Sequence, residues 1–425
     1  MPEHAVQRDQ ALPSLKESEW LKRPETGRVF AALSAEGVET RAVGGAVRNT
    51  LLGQPVTEID LATTATPEKV MALARKAGLK AVPTGIEHGT VTVIADGVPF
   101  QVTTLRRDVE TYGRHATVAF TEDWEEDARR RDFTLNALYA DRDGTVFDPL
   151  GGYRDLQAGR VRFIGDAEAR IKEDYLRILR FFRFNAYYGR GSLDEEGLAA
   201  SVRLRAGIEQ LSAERVGAEM RRLLVAPGAL RAIEALFDYG LLAEVLGGVP
   251  RLARFARLIA IEEAQGLTPD AALRLAGLAV FVREDAPRLA ARLRLSNAEQ
   301  AVLELGAADH AMGELPDEAA AKRALYALGQ SDFKAHVLIA WADAGASPDD
   351  PGWRQALTLA DRWQAPPFPL RGGDIVALGD LKGPAIGDML RRLEREWVDG
   401  GFAEDRDSLL AKVAALAGKS GGDND

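Results

Sequence analysis

The chain has 425 residues, is 46% hydrophobic, contains no cysteine and carries a formal net charge of −10. That length exceeds what a single core sustains and predicts two or more domains, and the missing cysteines exclude disulfides and thiolate metal sites. With no apolar run of membrane length and no secretory leader, a cytoplasmic protein without a membrane partner is expected. The acidic balance restricts any nucleic-acid contact to a local basic patch, and composition leaves the oligomeric state open.

Residues 1–26 are polar, with Pro2, Pro13 and Pro24 and only Trp20-Leu21 as an apolar anchor, and read as a loosely held extension. From residue 27 to about 165 short β-like runs such as "VETRAVG", "IDLATTA" and "GTVTVIADGVPFQVTTL" predict an α/β head domain, with Asp96-Gly97 as a hairpin turn. Between them "TPEKVMALARKAG" predicts a helix capped by Thr66, begun at Pro67 and stopped at Gly78. Beyond it the strands disappear and Ala, Leu and Arg recur at helical spacing. This predicts a helical neck over 166–230, a helical body and tail over 231–415, and a disordered end over 416–425. The fold class is therefore α+β.

One stretch carries chemistry: "VGGAVRNTLLGQPVTEID", Val43 to Asp60. Gly44-Gly45 lies between an apolar strand and a helix-like run, so its amides and the helix start can face a triphosphate, with Arg48 adding a charged fork. A tight turn beside a surface arginine is the plain alternative, and the spacing of a dinucleotide-binding glycine loop is absent. Glu58 and Asp60 stand two apart, which on a strand turns both carboxylates to one face. Two acids facing together repel unless a cation neutralises them, and hard oxygen donors beside a phosphate-bearing substrate suit Mg²⁺; two solvated strand acids are the alternative. Joined to the glycine loop, the pair points to metal-assisted nucleotidyl transfer.

Further along stand "RRDFTLNALYAD", "DPLGGYRDLQAGRVRFIGD", "EDYLRILRFFRF" and "LSAERVGAEMRRLL". With "GGAVRNTLLG" and "EIDLATTATPEKV", and in this order over about residues 38–225, these blocks resemble the class II tRNA nucleotidyltransferases (CCA-adding enzymes) and their bacterial poly(A) polymerase relatives. The resemblance implies a polymerase β-like nucleotidyltransferase head followed by an all-helical neck, body and tail. Its implied activity is template-independent addition of CCA to tRNA 3′ ends from CTP and ATP with release of pyrophosphate, using Mg²⁺ and with tRNA as the partner. A-only, CC-only and poly(A) synthesis are the neighbouring activities, and an RNA-binding protein with a decayed site is the non-enzyme alternative.

By this resemblance Gly44, Gly45 and Arg48 match the triphosphate loop, Glu58 and Asp60 the metal-binding acids, and Arg131 and Asp132 the contacts to ribose and triphosphate. Asn136 either caps locally or reaches the nucleotide. Asp174 and Arg177 match the base-reading pair, read here as i, i+3 neighbours on one helix face. Aspartate accepts from an exocyclic amine and arginine donates to a ring acceptor, an edge that adenine and cytosine share. Arg180 and Arg183 continue that face toward phosphate or RNA. The chain departs from the usual pattern at Glu58, where the family generally has Asp, at Gln101, where many relatives carry Glu, and at Asn49, which replaces a frequent Asp. Of the histidines in the body, His310 and His336 form no His-Asp pair, so no appended phosphohydrolase site is expected. The segment from Leu105 to Asp127 is polar and rich in Arg, Asp and Glu, and reads as a mobile loop that is complete rather than truncated.

Overall fold

The computed structural model describes residues 11–112, 115–307, 317–378 and 383–420. It divides into two compact units, Met1–Gly247 and Gly248–Asp425. The first unit opens with α1 (Glu19–Lys22) and α2 (Pro24–Leu33), then β1 (Thr40–Val43), α3 (Gly45–Leu51), β2 (Asp60–Thr63) and α4 (Pro67–Lys76). Next come β3 (Lys80–Gly85), β4 (Thr90–Ala95), β5 (Val98–Thr104), β6 (Arg106–Tyr112), β7 (His115–Phe120), α5 (Trp124–Arg129), β8 (Tyr139–Ala140) and β9 (Val146–Phe147). The helices α6 (Gly152–Ala158), α7 (Ala167–Glu173), α8 (Leu176–Tyr188), α9 (Glu195–Arg203), α10 (Ala213–Leu224), α11 (Ala229–Asp238) and α12 (Leu242–Leu246) complete it.

Seven strands form one sheet in the order β3-β4-β5-β2-β1-β8-β9, antiparallel except where β2 runs parallel to β5. Local chemistry accounts for much of it. Thr66 caps α4 by accepting from the Lys69 N–H, with Pro67 at the first helical position. Asp96 and Gly97 both take positive φ, 50° and 84°, which suits the two-residue turn joining β4 to β5. Alternation in β4 buries Val91, Val93 and Ala95 against the helices.

The join between head and neck is aromatic. Phe133 packs against Phe163 and Phe184 at centroid distances of 4.9 and 5.2 Å, and Phe163 stacks on Phe181 at 5.5 Å. Each such buried ring contributes about 2 kcal/mol. On α8 the apolar positions Ile178, Leu179, Phe181 and Phe182 are buried, which leaves Arg177, Arg180 and Arg183, spaced by three, as a cationic stripe on another face.

Four expectations from sequence need correction. The segment before α1 is not loosely held from Leu15 onward: the Leu15 N–H donates to the Gly144 carbonyl at 2.7 Å, Trp20 Nε1 donates to Thr50 Oγ1 at 2.8 Å, and both side chains are buried. Residues 1–10 lie outside the described residues. Where a loop was expected, Arg106–Tyr112 and His115–Phe120 pair as the antiparallel strands β6 and β7, from Arg106 with Phe120 to Tyr112 with His115, and lead into α5. The first unit runs past residue 230 and takes in α11 and α12, since α11 is tied to the neck by the Gly228 N–H, which donates to the Ala186 carbonyl at 2.9 Å. The chain from 416 to 420, expected to be disordered, continues the helix Arg406–Ser420, while 421–425 lie outside the described residues.

Among the described residues the regular elements of the second unit are all helices, from α13 (Leu252–Ala264) and α14 (Ala271–Ala279) onward. Buried Arg254 donates to the carbonyls of Gly277 and Ala276, both at 2.7 Å, and pairs with Asp343 at 3.1 Å, so its charge joins three helices rather than facing solvent. The long helix Glu318–Ala344 bends at Gly329, whose φ is 75°. Among the described residues no helix is long and apolar enough to cross a membrane.

Candidate active site

A cavity of about 440 Å³ opens between the sheet and the neck helices. The ladder between β1 and β2 ends at the pair Val43 and Asp60, so Gly44 leaves one strand where Asp60 begins the other. Gly44 takes φ 66°, and a Cβ there would stand 3.6 Å from the Asn136 carbonyl, a turn that glycine makes without strain. This places the start of α3 and the carboxylate of Asp60 on the same wall.

Gly44, Gly45, Arg48 and Asp60 line the cavity, as do Arg131, Asp132, Asn136, Asp174, Arg177 and Arg180. Glu58 and Arg183 do not line it. The expected strand alternation fails for Glu58 because β2 begins only at Asp60, beyond which β1 offers no partner. Its charge still reaches Asp60: burial first, and Glu58 second, push the Asp60 carboxyl above its ordinary value, with Arg131 opposing. Asp60 itself is solvent-accessible, so the burial acts through the cavity walls around it. Gln101 stands in register with Asp60 on β5, and an amide there adds no charge to the pair.

Among the described residues neither Glu58 nor Asp60 forms an ion pair, and no group of three or more His, Cys, Asp or Glu side chains is placed to hold a metal. Two carboxylates two residues apart, one of which raises the other, are nevertheless a donor set that suits a hard divalent cation.

A buried relay connects the other walls. Arg48 donates through Nη1 to Asn136 Oδ1, and through Nη2 to Asn49 Oδ1 at 3.0 Å and to the Tyr188 hydroxyl at 2.7 Å. Asn136 Nδ2 donates to Asp132 Oδ1 at 2.8 Å, and Arg180 grips Asp132 Oδ2 at 2.8 and 2.5 Å. Asn136 is therefore a bridge rather than a local cap. Burial raises the Asp132 carboxyl, but Arg180 and Asn136 outweigh it and hold it down at about 2. Burial likewise pulls the Arg48 guanidinium below its ordinary value, opposed by Tyr188, without removing its charge.

Arg131 faces the cavity while pairing with Asp127 at 3.0 Å. Burial raises the Asp127 carboxyl, and Arg131 and Arg130 bring it down to about 2. Tyr139 completes this corner by donating its hydroxyl to Asp127 Oδ2 at 2.8 Å.

The pair Asp174 and Arg177 differs from its expected helical form. Asp174 is extended, φ −157° and ψ 104°, in the break between α7 and α8. Its Oδ1 accepts from the Leu176 N–H at 3.1 Å, so the side chain caps the next helix and competes with helix continuation. Arg177 sits in the first turn of α8, its Nη1 bound to the Arg170 carbonyl at 2.7 Å and to Glu173 at 2.5 Å. Both still line the cavity. Sequence reasoning overlooked Arg215, Phe184, Glu219, Asp127 and Tyr188. The block "LSAERVGAEMRRLL" held a signal, since Arg215 and Glu219 are opposite charges four apart on a helix in which Glu219 is buried.

Similarity to known proteins agrees with this geometry. The family described as "Poly A polymerase head domain" matches residues 40–162, and "Probable RNA and SrmB- binding site of polymerase A" matches 192–255. The chain is 35% identical over 385 residues to the mitochondrial CCA tRNA nucleotidyltransferase 1 of Mus musculus, covering 89% of this chain and 87% of that one. It is 33% identical over 401 residues to the CCA-adding enzyme of Geobacillus stearothermophilus, covering 90% and 94%. The crystal structure of the Bacillus stearothermophilus CCA-adding enzyme in complex with CTP superposes with a TM-score of 0.73 at 28% identity, over 94% of this chain and 99% of that one. The chain belongs to the CCA tRNA nucleotidyltransferase family.

Proposed function

We propose that this chain adds C, C and A to the 3′ end of tRNA from CTP and ATP, releasing pyrophosphate at each step, with the cavity between sheet and neck as its one nucleotide site. The observation that carries the reading is that the residues assigned here to phosphate, ribose and base line a single cavity of about 440 Å³, a volume within the range of small-ligand sites.

In this reading the amides at Gly44 and Gly45 and the guanidiniums of Arg48 and Arg131 receive the triphosphate. Each arginine is already held by its own partners, so little ordering is needed when phosphate arrives. Asp132, ionised and fixed by Arg180, accepts from a ribose hydroxyl. Asp174 accepts from the exocyclic amine of cytosine or adenine while Arg177 donates to the neighbouring ring acceptor. Uracil and guanine present a carbonyl where the amine should be, which sets acceptor against acceptor and is the physical basis for their rejection.

Glu58 and Asp60 would hold Mg²⁺, which when bound supplies positive charge to the triphosphate and acidifies the attacking hydroxyl. Their mutual repulsion supports the assignment, and the longer Glu58 is the less well-placed of the two ligands. Incorporation of labelled CTP and ATP into tRNA lacking its terminus tests the proposal. Nucleotide-dependent growth of the tRNA supports it, and tRNA binding without growth would favour the decayed, RNA-binding alternative.

A further inference from the structure

We infer that Tyr188, at the end of α8, is a positioning residue that holds the Arg48 guanidinium in place for the triphosphate, an inference that rests on the phosphate role proposed for Arg48. The Tyr188 hydroxyl accepts from Arg48 Nη2 at 2.7 Å and donates to Asn49 Oδ1 at 3.3 Å. The guanidinium carbon lies 4.1 Å from the centre of the Tyr188 ring, so one side chain holds Arg48 both by its hydroxyl and by its π face.

Arg48 is poorly explained as scaffolding. It is 7% exposed, and its other partners are the neutral amide oxygens of Asn49 and Asn136. Among the described residues it forms no ion pair, because Asp132 is taken by Arg180 and Asn136. A buried cation without a counter-charge is destabilising on its own and suits an incoming anion. Of the five guanidinium N–H groups, Asn49 takes one from Nε and one from Nη2, Tyr188 takes the second on Nη2, and Asn136 takes one on Nη1. The second N–H on Nη1 is left for a phosphate oxygen.

Arg177, Arg180, Phe184 and Tyr188 follow one another at spacings of three and four and so share one face of α8. Over about 16 Å this face carries the arginine assigned to the base, then the arginine bound to Asp132, and last the tyrosine bound to Arg48. Tyr188 does not line the cavity, so it acts through Arg48. The triphosphate is common to CTP, ATP and UTP. A guanidinium released from Tyr188 must be ordered again when phosphate binds, which weakens all three nucleotides and free pyrophosphate alike.

Titration calorimetry with inorganic pyrophosphate and Mg²⁺, steady-state kinetics with CTP, ATP and UTP, and melting temperatures compare wild type, Tyr188→Phe and Tyr188→Leu. Phenylalanine keeps the ring and loses the hydroxyl, whereas leucine loses both. The Kd for pyrophosphate and the KM for CTP and ATP should rise together, about five-fold in Tyr188→Phe and about twenty-fold in Tyr188→Leu, with kcat, the UTP-to-CTP ratio and the melting temperature little changed. Unchanged pyrophosphate affinity in Tyr188→Leu overturns the inference while leaving the proposed function standing. A lower kcat that follows a fall in melting temperature, with KM unmoved, overturns it as well by making Tyr188 structural. A wild-type protein that incorporates no nucleotide overturns the function reading, and a graded loss of pyrophosphate affinity across the two variants would still support the link between Tyr188 and Arg48.

Discussion

Asp132 and Asp60 are carboxylates of one cavity held in opposite electrostatic states, and each predicts its own pH behaviour. Asp132, kept at about 2 by Arg180 and Asn136, contributes stability that is complete above the ordinary aspartate range near 4 and lost as pH falls toward 2. Replacing it by Ala leaves Arg180 without its close partner and should cost about 2 kcal/mol at neutral pH, less at pH 2, by denaturant titration. A loss independent of pH would contradict the pairing. Asp60, raised by burial and by Glu58, is instead destabilising once ionised, so its penalty grows as pH rises past its ordinary value. Asp60→Asn should therefore abolish incorporation and yet raise the melting temperature at neutral pH in the absence of divalent cations. Glu58→Asp, which shortens the displaced ligand, should preserve or improve the rate. Near-wild-type activity in Asp60→Asn would remove Asp60 from the proposed metal site.

The elements that were legible in the sequence are those whose cause is local. Thr66 with Pro67 starts α4 through its own amides, and Asp96-Gly97 turns β4 into β5 by backbone preference alone. Most of the candidate site was legible too, because Gly44, Asp60 and Asp174 each lie in a motif with a fixed order. What was not legible depends on partners distant in the chain. That Asp174 ends α7 and caps α8 follows from competition for the Leu176 amide, and that Arg215 meets Asp174 follows from how α10 packs on α8. Glu58 was misplaced on a strand because the end of the β1–β2 ladder is set by the turn at Gly44. That turn offers a test at this scale. Gly44→Ala forces a side chain onto a φ of 66° and should cost about 1 kcal/mol, with a larger fractional loss in nucleotide affinity than in stability. Equal affinity in the variant would detach the glycine loop from phosphate binding.

At the scale of the whole molecule the residues that line the cavity belong to the first unit. A chain ended after Gly247 should keep a cooperative melting transition and bind CTP, because its sheet, neck and α11–α12 form a compact unit by themselves. It should lose preferential binding of tRNA over unstructured RNA, and retained preference would assign tRNA recognition to the head and neck. The central claim is the product. The most direct measurement offers the full-length protein tRNA ending at the discriminator base, at C and at CC, with CTP and ATP separately and together, and resolves the products nucleotide by nucleotide. The account predicts growth by C, then C, then a single A, after which extension stops; A added only to the CC-ended tRNA, growth that halts at CC, or a lengthening A tail would contradict it.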